Sequence, residues 1–230
     1  MGRLHRRTVA VCLVLILAAT PAVAGVRVVG DHPTTRKHAH FGFDFEPHVA
    51  FSRPTGDAGR AFDHGIDGGL SVTSMQSRRV GIGLDVGYQH WPSPKGGVAL
   101  DEFVNSFGGT PISGTNVFVD QFDVSAHLRL TEPDQFIIPF LDLGVGMVRA
   151  NGAIEYPTHV VSGPLGTLIL TDSHHVSTEP EVSVRVGIDV SSQKGVRVGP
   201  DLSYKWIFFG SESTPFTALG IGAHARFGSW

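Results

Sequence analysis

The 230-residue chain predicts an all-β fold, an eight-stranded antiparallel up-and-down transmembrane β-barrel, on three observations. Apolar and polar residues alternate with period 2 in one segment after another, which marks sheets with one apolar and one polar face. Beyond residue 24, no stretch reaches the roughly 20 continuous apolar residues that a membrane helix requires. The connections between alternating segments are by turns short and long, as in barrels that cross a membrane. The polar face is sparse, glycine-rich and internally neutralised, whereas the apolar face is bulky and almost unbroken. A polar lumen and a lipid-facing exterior account for both faces, and closure leaves no strand edge unpaired in lipid.

The elements follow in order. Arg3, Arg6 and Arg7 precede the apolar run Val9 to Ala19, and Ala22-Val23-Ala24 offers a small-x-small cleavage site. This reads as a secretory signal peptide over residues 1–24, because the apolar run is too short to anchor in a bilayer. Residues 25–37 form a short leader and 38–230 the barrel. The only cysteine, Cys12, lies in the signal, so no disulfide or thiol chemistry is expected after cleavage. Removing the three arginines leaves 15 basic against 21 acidic residues, and an acidic chain argues against nucleic acid as a partner.

Eight strands are expected. The first, His38 to Ser52, sets Phe43, Phe45, Val49 and Phe51 against Asp44, Glu46 and His48. The second, Phe62 to Met75, sets Ile66, Leu70 and Val72 against Asp67, Ser71 and Thr73. In the third, Arg79 to Trp91, Ile82, Leu84, Val86 and Tyr88 oppose Gly81, Gly83, Asp85 and Gly87. The fourth, Asn116 to Leu130, places Phe122, Val124, Ala126 and Leu128 opposite Asp123, Ser125, His127 and Arg129. The fifth, Phe136 to Ala150, places Leu141, Leu143, Val145 and Met147 opposite Asp142, Gly144 and Gly146. The eighth, Phe216 to Phe227, sets Leu219, Ile221, Ala223 and Phe227 against Gly220, Gly222, His224 and Arg226.

The sixth and seventh strands form a hairpin between Glu181 and Phe208, whose turn is Ser191 to Gly195. Folding back about Gln193 places residues whose numbers sum to 386 opposite one another. That register pairs Glu181 with Lys205, Arg185 with Asp201 and Asp189 with Arg197, and sets Gly187 against Gly199. Opposite charges placed across a strand pair help to specify register.

Short turns fall near Gln76-Ser77-Arg78, Thr131 to Gln135 and Ser191 to Gly195. Longer loops span 53–61, 92–115, 151–178 and 210–215. With an even strand number, the short turns and both termini face the periplasm and the long loops face outward. Aromatics gather at both rims as interfacial belts would. Phe51, Phe62, Tyr88, Trp91, Phe118, Trp206, Phe208 and Phe216 adjoin the long loops, while Phe41, Phe43, Phe136, Phe227 and Trp230 lie near the other rim. The third long loop reads either as a hairpin raised above the membrane or as a fifth pair of spanning strands, for which its apolar runs are short.

The candidate site is the lumen. Gly81-Ile82-Gly83, Gly144-Val145-Gly146 and Gly220-Ile221-Gly222 resemble phosphate loops only superficially, since no helix follows the strand. They fall on the inner face of a barrel so narrow that side chains must share its interior. Small residues there leave room for Arg79, Arg129, Arg185, Arg197 and Arg226, with Lys205, to reach Asp44, Glu46, Asp85, Asp123, Asp142, Glu181, Asp189 and Asp201. Buried charges persist when paired, so an interlocked plug without a continuous water channel is expected.

Pro139-Phe140-Leu141 followed by Leu143-Gly144-Val145-Gly146 resembles the fifth strand of small eight-stranded outer-membrane barrels, the opacity-type and outer-membrane-protein-A-like proteins of Gram-negative bacteria. Strand count, loop alternation and an aromatic C-terminus extend the resemblance over the whole mature chain. It implies residence in the bacterial outer membrane, contact with its lipid, and recognition of the C-terminal strand by the barrel assembly machinery. One departure is that Trp230 is out of phase with the outward residues, so that recognition would rest on Phe227. The chain is expected to stop at the barrel, without a periplasmic peptidoglycan-binding domain.

Neither catalysis nor a cofactor is expected. His48, His127 and His224 share the polar face with carboxylates, a set that could do acid–base work. Lipid-modifying hydrolases of similar fold carry a His-x-Ser pair on a strand, whereas here Ala50, Arg129 and Arg226 stand two residues after those histidines. His38, His40, His174 and His175 lie in exposed polar segments and are not expected to bind metal. The reading is therefore a structural or surface-interaction protein, with a possible host or cell-surface ligand at its long loops. The alternatives are a small-solute outer-membrane channel and, third, a soluble periplasmic binding barrel.

Overall fold

Each alternating segment pairs with its neighbours in the chain until the last meets the first. In the computed structural model, which describes residues 42–56, 58–131, 137–193, 196–209 and 215–228, residues 41–230 form one compact unit. The expected signal peptide and leader lie outside the described residues. The described elements are strands β1 (Gly42–Thr55), β2 (Gly65–Met75), β3 (Val80–Pro92), β4 (Asn116–Thr131), β5 (Ile137–Glu155), β6 (Val160–Gly163), β7 (Gly166–Ile169), β8 (Ser173–Gln193), β9 (Val196–Ile207) and β10 (Phe216–Phe227), with helices α1 (Ala58–Ala61) and α2 (Pro94–Phe107). Eight of these strands close in the order β1-β10-β9-β8-β5-β4-β3-β2. Because β1 pairs antiparallel with both β2 and β10, the sheet has no free edge.

The two faces segregate as the alternation requires. Outward side chains such as Phe43, Phe51, Leu84 and Ile221 are 60–74% exposed, whereas the inward Glu46, Arg129 and Asp189 are fully buried. Apolar groups outside and charges inside invert the partition of a water-soluble sheet.

The hairpin register differs from the expected one by two residues. Ser183 opposes Lys205, Gly187 opposes Asp201 and Val190 opposes Val198, so partner numbers sum to 388, with an irregularity between Ser191 and Gln193. The strands run to Gln193 and resume at Val196, which moves the pivot toward the C-terminus. A two-residue slip keeps every side chain on its face, so the burial pattern survives it. The charge pairing that suggested the other register is not required, because inward charges here reach across the lumen. Asp189 and Arg197 alone of the three expected pairs remain within 4.0 Å.

Four further placements depart from expectation. Trp91 and Phe216 point inward rather than joining an aromatic belt; Trp91 is fully buried, with its ring 5.2 Å from that of Phe216. Phe62 precedes β2, and Phe41, Phe136 and Trp230 lie outside the described residues. Arg79 is exposed at the short turn before β3 rather than inside the lumen. The lumen also holds apolar side chains, among them Ile138, Phe140 and Val148, because even positions of β5 face inward.

At the long-loop end the loops are built rather than open. β5 and β8 stay paired up to Ile154 and Ser173, and β6 with β7 forms a separate two-stranded sheet above them. The third loop is therefore a raised hairpin and not a fifth spanning pair. The 92–115 loop contains α2, a helix that period-2 alternation does not announce. Pro94 at its first turn suits a helix start, and the Gly108 N–H closes its end on the Val104 carbonyl at 3.1 Å. Val104 packs with Ile112, Val161 and Leu170, flanked by Tyr156 and Leu168, so helix and hairpin share one small core. Asp101 accepts from the Gly114 N–H at 2.8 Å and from the Thr115 hydroxyl, tying the segment after the helix back to it.

The register is testable because the mature chain is expected to be free of thiols. The double variant Val184→Cys with Tyr204→Cys should form a disulfide on mild oxidation, since these residues oppose one another. Val184→Cys with Leu202→Cys should not, because a two-residue offset takes the Cα atoms beyond the roughly 7 Å limit for a disulfide. The reverse result, read from mobility before and after reduction, would restore the register expected from charge.

Candidate functional site

The lumen is built in rows, since residues in register on neighbouring strands place their inward side chains next to one another along the barrel wall. One row runs Arg129–Asp142–Arg185–Ser203–Gly220 across β4, β5, β8, β9 and β10. Another runs Thr73–Gly83–His127–Gly144–Ser183–Lys205. Both rows mix large side chains with glycine and serine, which is how a narrow barrel fits them. The glycines are spaces for their neighbours. A Cβ on Gly83 would come 2.6 Å from the His127 ring, and one on Gly87 would come 2.7 Å from both Asp123 oxygens.

Glu46 is the hub toward the short-turn end. Arg129 grips it with two nitrogens, Nη1 to Oε2 at 2.8 Å and Nη2 to Oε1 at 3.1 Å. Arg226 Nε donates to Oε2 at 2.7 Å, and Arg185 Nη2 donates to Oε1. Arg129 also holds Asp142 through Nε and Nη2, both at 2.6 Å, and Arg185 Nη2 reaches the same carboxylate at 2.9 Å. Fork-on-carboxylate contacts of this kind are the strongest hydrogen bonds available to side chains. Arg226 continues to Asp189, whose other oxygen lies 2.7 Å from His224 Nε2. His224 Nδ1 lies 2.9 Å from Asp201, so one ring bridges two carboxylates.

Phe140 stands inside this cluster and was not singled out as a lumen residue from the sequence. The guanidinium carbons of Arg129, Arg226 and Arg185 lie 5.0, 5.0 and 5.7 Å from its ring centroid, and His224 meets the ring edge-on at 5.1 Å. A π-face attracts cations and separates like charges that would otherwise repel. Its inward phase was legible, because Phe140 has the parity of Asp142 and Gly144.

A second cluster lies toward the long-loop end. Lys205 Nζ donates to Asp123 at 2.8 Å and stands 3.6 Å from Asp67, which also accepts from Gln89 Nε2 at 2.8 Å. Asp85 takes the Ser71 hydroxyl, and His48 Nδ1 stands 3.8 Å from it. Glu181, expected to pair with Lys205, lies opposite Ile207 in the ladder, and its Oε2 has no hydrogen-bond partner among the described residues. This cluster holds four carboxylates, Asp67, Asp85, Asp123 and Glu181, around one lysine. They line a space of about 50 Å³, room for a few waters. Above it, Trp91 Nε1 on β3 reaches past Gly65 of β2 to donate to the Ser52 hydroxyl on β1 at 2.7 Å. Among the described residues, no group of three or more His, Cys, Asp or Glu side chains is arranged to hold a metal ion.

No protein-family model matches the sequence, and no curated protein matches it. Solved structures do share its fold. A major outer membrane protein from Thermus thermophilus superposes with TM-score 0.54 at 13% identity, over 81% of this chain and 99% of that one. Neisserial surface protein A superposes with TM-score 0.52 at 12% identity, over 80% and 96% respectively. The chain therefore has the fold of small outer-membrane β-barrels.

Two measurements test these contacts. Arg129→Ala would leave Glu46 and Asp142 short of their main partner, and breaking a buried pair costs about 3–5 kcal/mol. The urea midpoint should fall accordingly, and it should fall less for Arg185→Ala, which leaves the Arg129 grip in place; an unchanged midpoint for Arg129→Ala would refute the network. In the raised loop, the Tyr156 N–H donates to Asp172 at 2.9 Å, and His159 Nε2 lies 3.2 Å from the same oxygen. These bonds, the Tyr156 one foremost, hold the Asp172 carboxyl below its ordinary range. A depressed carboxyl lends its support above the unfolded-state value and loses it as pH falls through the folded one. Amide-exchange protection at Tyr156 should therefore drop in acid, and Asp172→Asn should abolish that dependence.

Proposed function

We propose that this protein is an integral outer-membrane β-barrel, exported through a cleaved signal peptide, whose lumen is plugged by its own charged side chains. It acts as a structural or surface-interaction protein through its long loops. The observation that carries the membrane reading is the inverted partition: bulky apolar side chains cover the outside of a closed sheet while arginines and carboxylates fill the inside. Water would not support such an exterior, whereas lipid both accepts it and demands closure. The charged pairs that span the lumen support a plug, because opening a channel would separate them. The lumen residues Glu181, Lys205, Arg185, Asp201, Asp189, Arg197, Asp85, Asp123, Arg129, Asp142 and Arg226 are structural in this reading.

The outward end carries the interaction. Phe103 and Phe107, 58% and 42% exposed, form a ring pair 5.0 Å apart on α2, and Leu165 and Ile169 stand free on the raised hairpin. Exposed aromatic and apolar groups on a packed support fit a protein or cell-surface ligand. The C-terminal strand, ending at the outward Phe227, suits recognition by the barrel assembly machinery. The acidic, partly unpaired cluster around Lys205 favours the second reading, a small-solute channel that would pass cations.

The deciding experiment is electrophoretic mobility in dodecyl sulfate, boiled against unboiled, on the outer-membrane fraction. A heat-dependent shift is expected of a detergent-resistant closed barrel. No shift, with the protein among soluble periplasmic contents, would make it a periplasmic binding barrel. Steady single-channel openings in planar bilayers would replace the plug with a channel.

A further inference from the structure

Arg149 faces outward from β5 on the apolar wall, at the level where that wall turns polar. It opposes Phe122 on β4 and Thr178 on β8. One step toward the short turns, the same strands present Val124, Met147 and Pro180. One step toward the long loops they present Asp120, Asn151 and Val176. Phe122, Arg149, Asn151, His174 and Val176 line an open groove of about 590 Å³ on this wall. Arg149 makes no ion pair among the described residues. The nearby Asp120 carboxylate is occupied, accepting from the Tyr88 hydroxyl at 2.7 Å and facing His90 Nδ1 at 2.8 Å. Asn151 lines the groove, with its Oδ1 buried and without a hydrogen-bond partner among the described residues.

From this arrangement we infer that the groove is a binding site for the phosphorylated headgroup of an outer-leaflet lipid, which rests on the reading that the outward wall faces lipid. The guanidinium donates two parallel hydrogen bonds to phosphate oxygens, a geometry that a lone ammonium cannot match. His174 stands at the rim as a second donor. Phe122 and Val176 form the apolar floor, which takes the first methylenes of an acyl chain. An arginine one residue row above unbroken lipid-facing side chains sits at headgroup depth, where an anion relieves its unpaired charge.

The test uses the full protein folded in neutral maltoside micelles, with bound lipids counted by native mass spectrometry. Dihexanoyl phosphatidic acid is the probe, against dihexanoyl phosphatidylcholine and inorganic phosphate. One phosphatidic acid per chain is expected, weakened about tenfold or more by Arg149→Ala and changed less than about twofold by Arg53→Ala, an outward arginine on β1 away from the groove. Equal losses in both variants would reduce the effect to diffuse surface charge, and equal retention of phosphatidylcholine would remove the phosphate preference; either overturns the site. Inorganic phosphate binding as tightly as phosphatidic acid would make it an anion site without a lipid. Failure of the membrane reading registers separately, because boiled and unboiled protein would then co-migrate.

Discussion

Charge enclosed in a closed backbone cylinder is the constraint on which the rest of the structure depends. Once eight strands close, inward side chains are held away from bulk water and from free movement, so a buried charge is stabilised by a counterpart within a few ångströms. Glu46 meets that demand by taking three arginines, Arg226 from the neighbouring β10 and Arg129 and Arg185 from β4 and β8, which β1 meets only across the lumen. Phe140 helps to make the crowding tolerable by offering its ring to the same three guanidinium groups. The glycines follow from the same constraint. Gly69, Gly83, Gly87 and Gly187 stand where a neighbouring ring or carboxylate already fills the space, so they record the size of the interior rather than flexibility of the chain.

The two ends of the lumen solve the problem differently. Toward the short turns, arginines and carboxylates interlock in near balance. Toward the long loops, Lys205 meets Asp123 and Asp67 while Asp85 and Glu181 add two more carboxylates, and several polar atoms there have no hydrogen-bond partner among the described residues. Beyond that lies Trp91, and above it α2 and the raised hairpin pack on one another through Val104, Ile112, Val161 and Leu170. A packed cap makes the loops a defined surface instead of mobile connections. The outer wall is graded in the same sense, from unbroken apolar residues to the polar band around Arg149.

The strand pattern was legible because a sheet between two unlike media writes its faces into every second residue. Ile82, Leu84 and Val86 against Gly81, Gly83 and Asp85 identify both faces of β3 without any knowledge of its partners. Positions of this kind also locate the inward charges, since parity alone decides the face. Partner choice was not legible in the same way. Arg185 reads as the neighbour of Asp201 along the hairpin, yet it binds Asp142 beside it on β5 and Glu46 on the far wall. Trp91 and Phe216 fit an aromatic belt by position along the strand, and only their phase distinguishes an inward wall residue from an outward anchor.

By itself, then, the sequence determined the number of strands, the face of each residue and the alternation of turns with loops, because period-2 patterning and turn chemistry are local properties of the chain. Closure decided the rest. Bringing β10 against β1 sets which levels of the lumen coincide, and through them the hairpin register, the three-arginine grip on Glu46 and the place of Phe140. The helix in the second loop and its packing on the third were likewise a tertiary matter, since a short helix among glycines is stabilised by the surface it covers rather than by its own propensity. Contacts across a lumen join residues with no fixed spacing in sequence, so no periodicity can announce them.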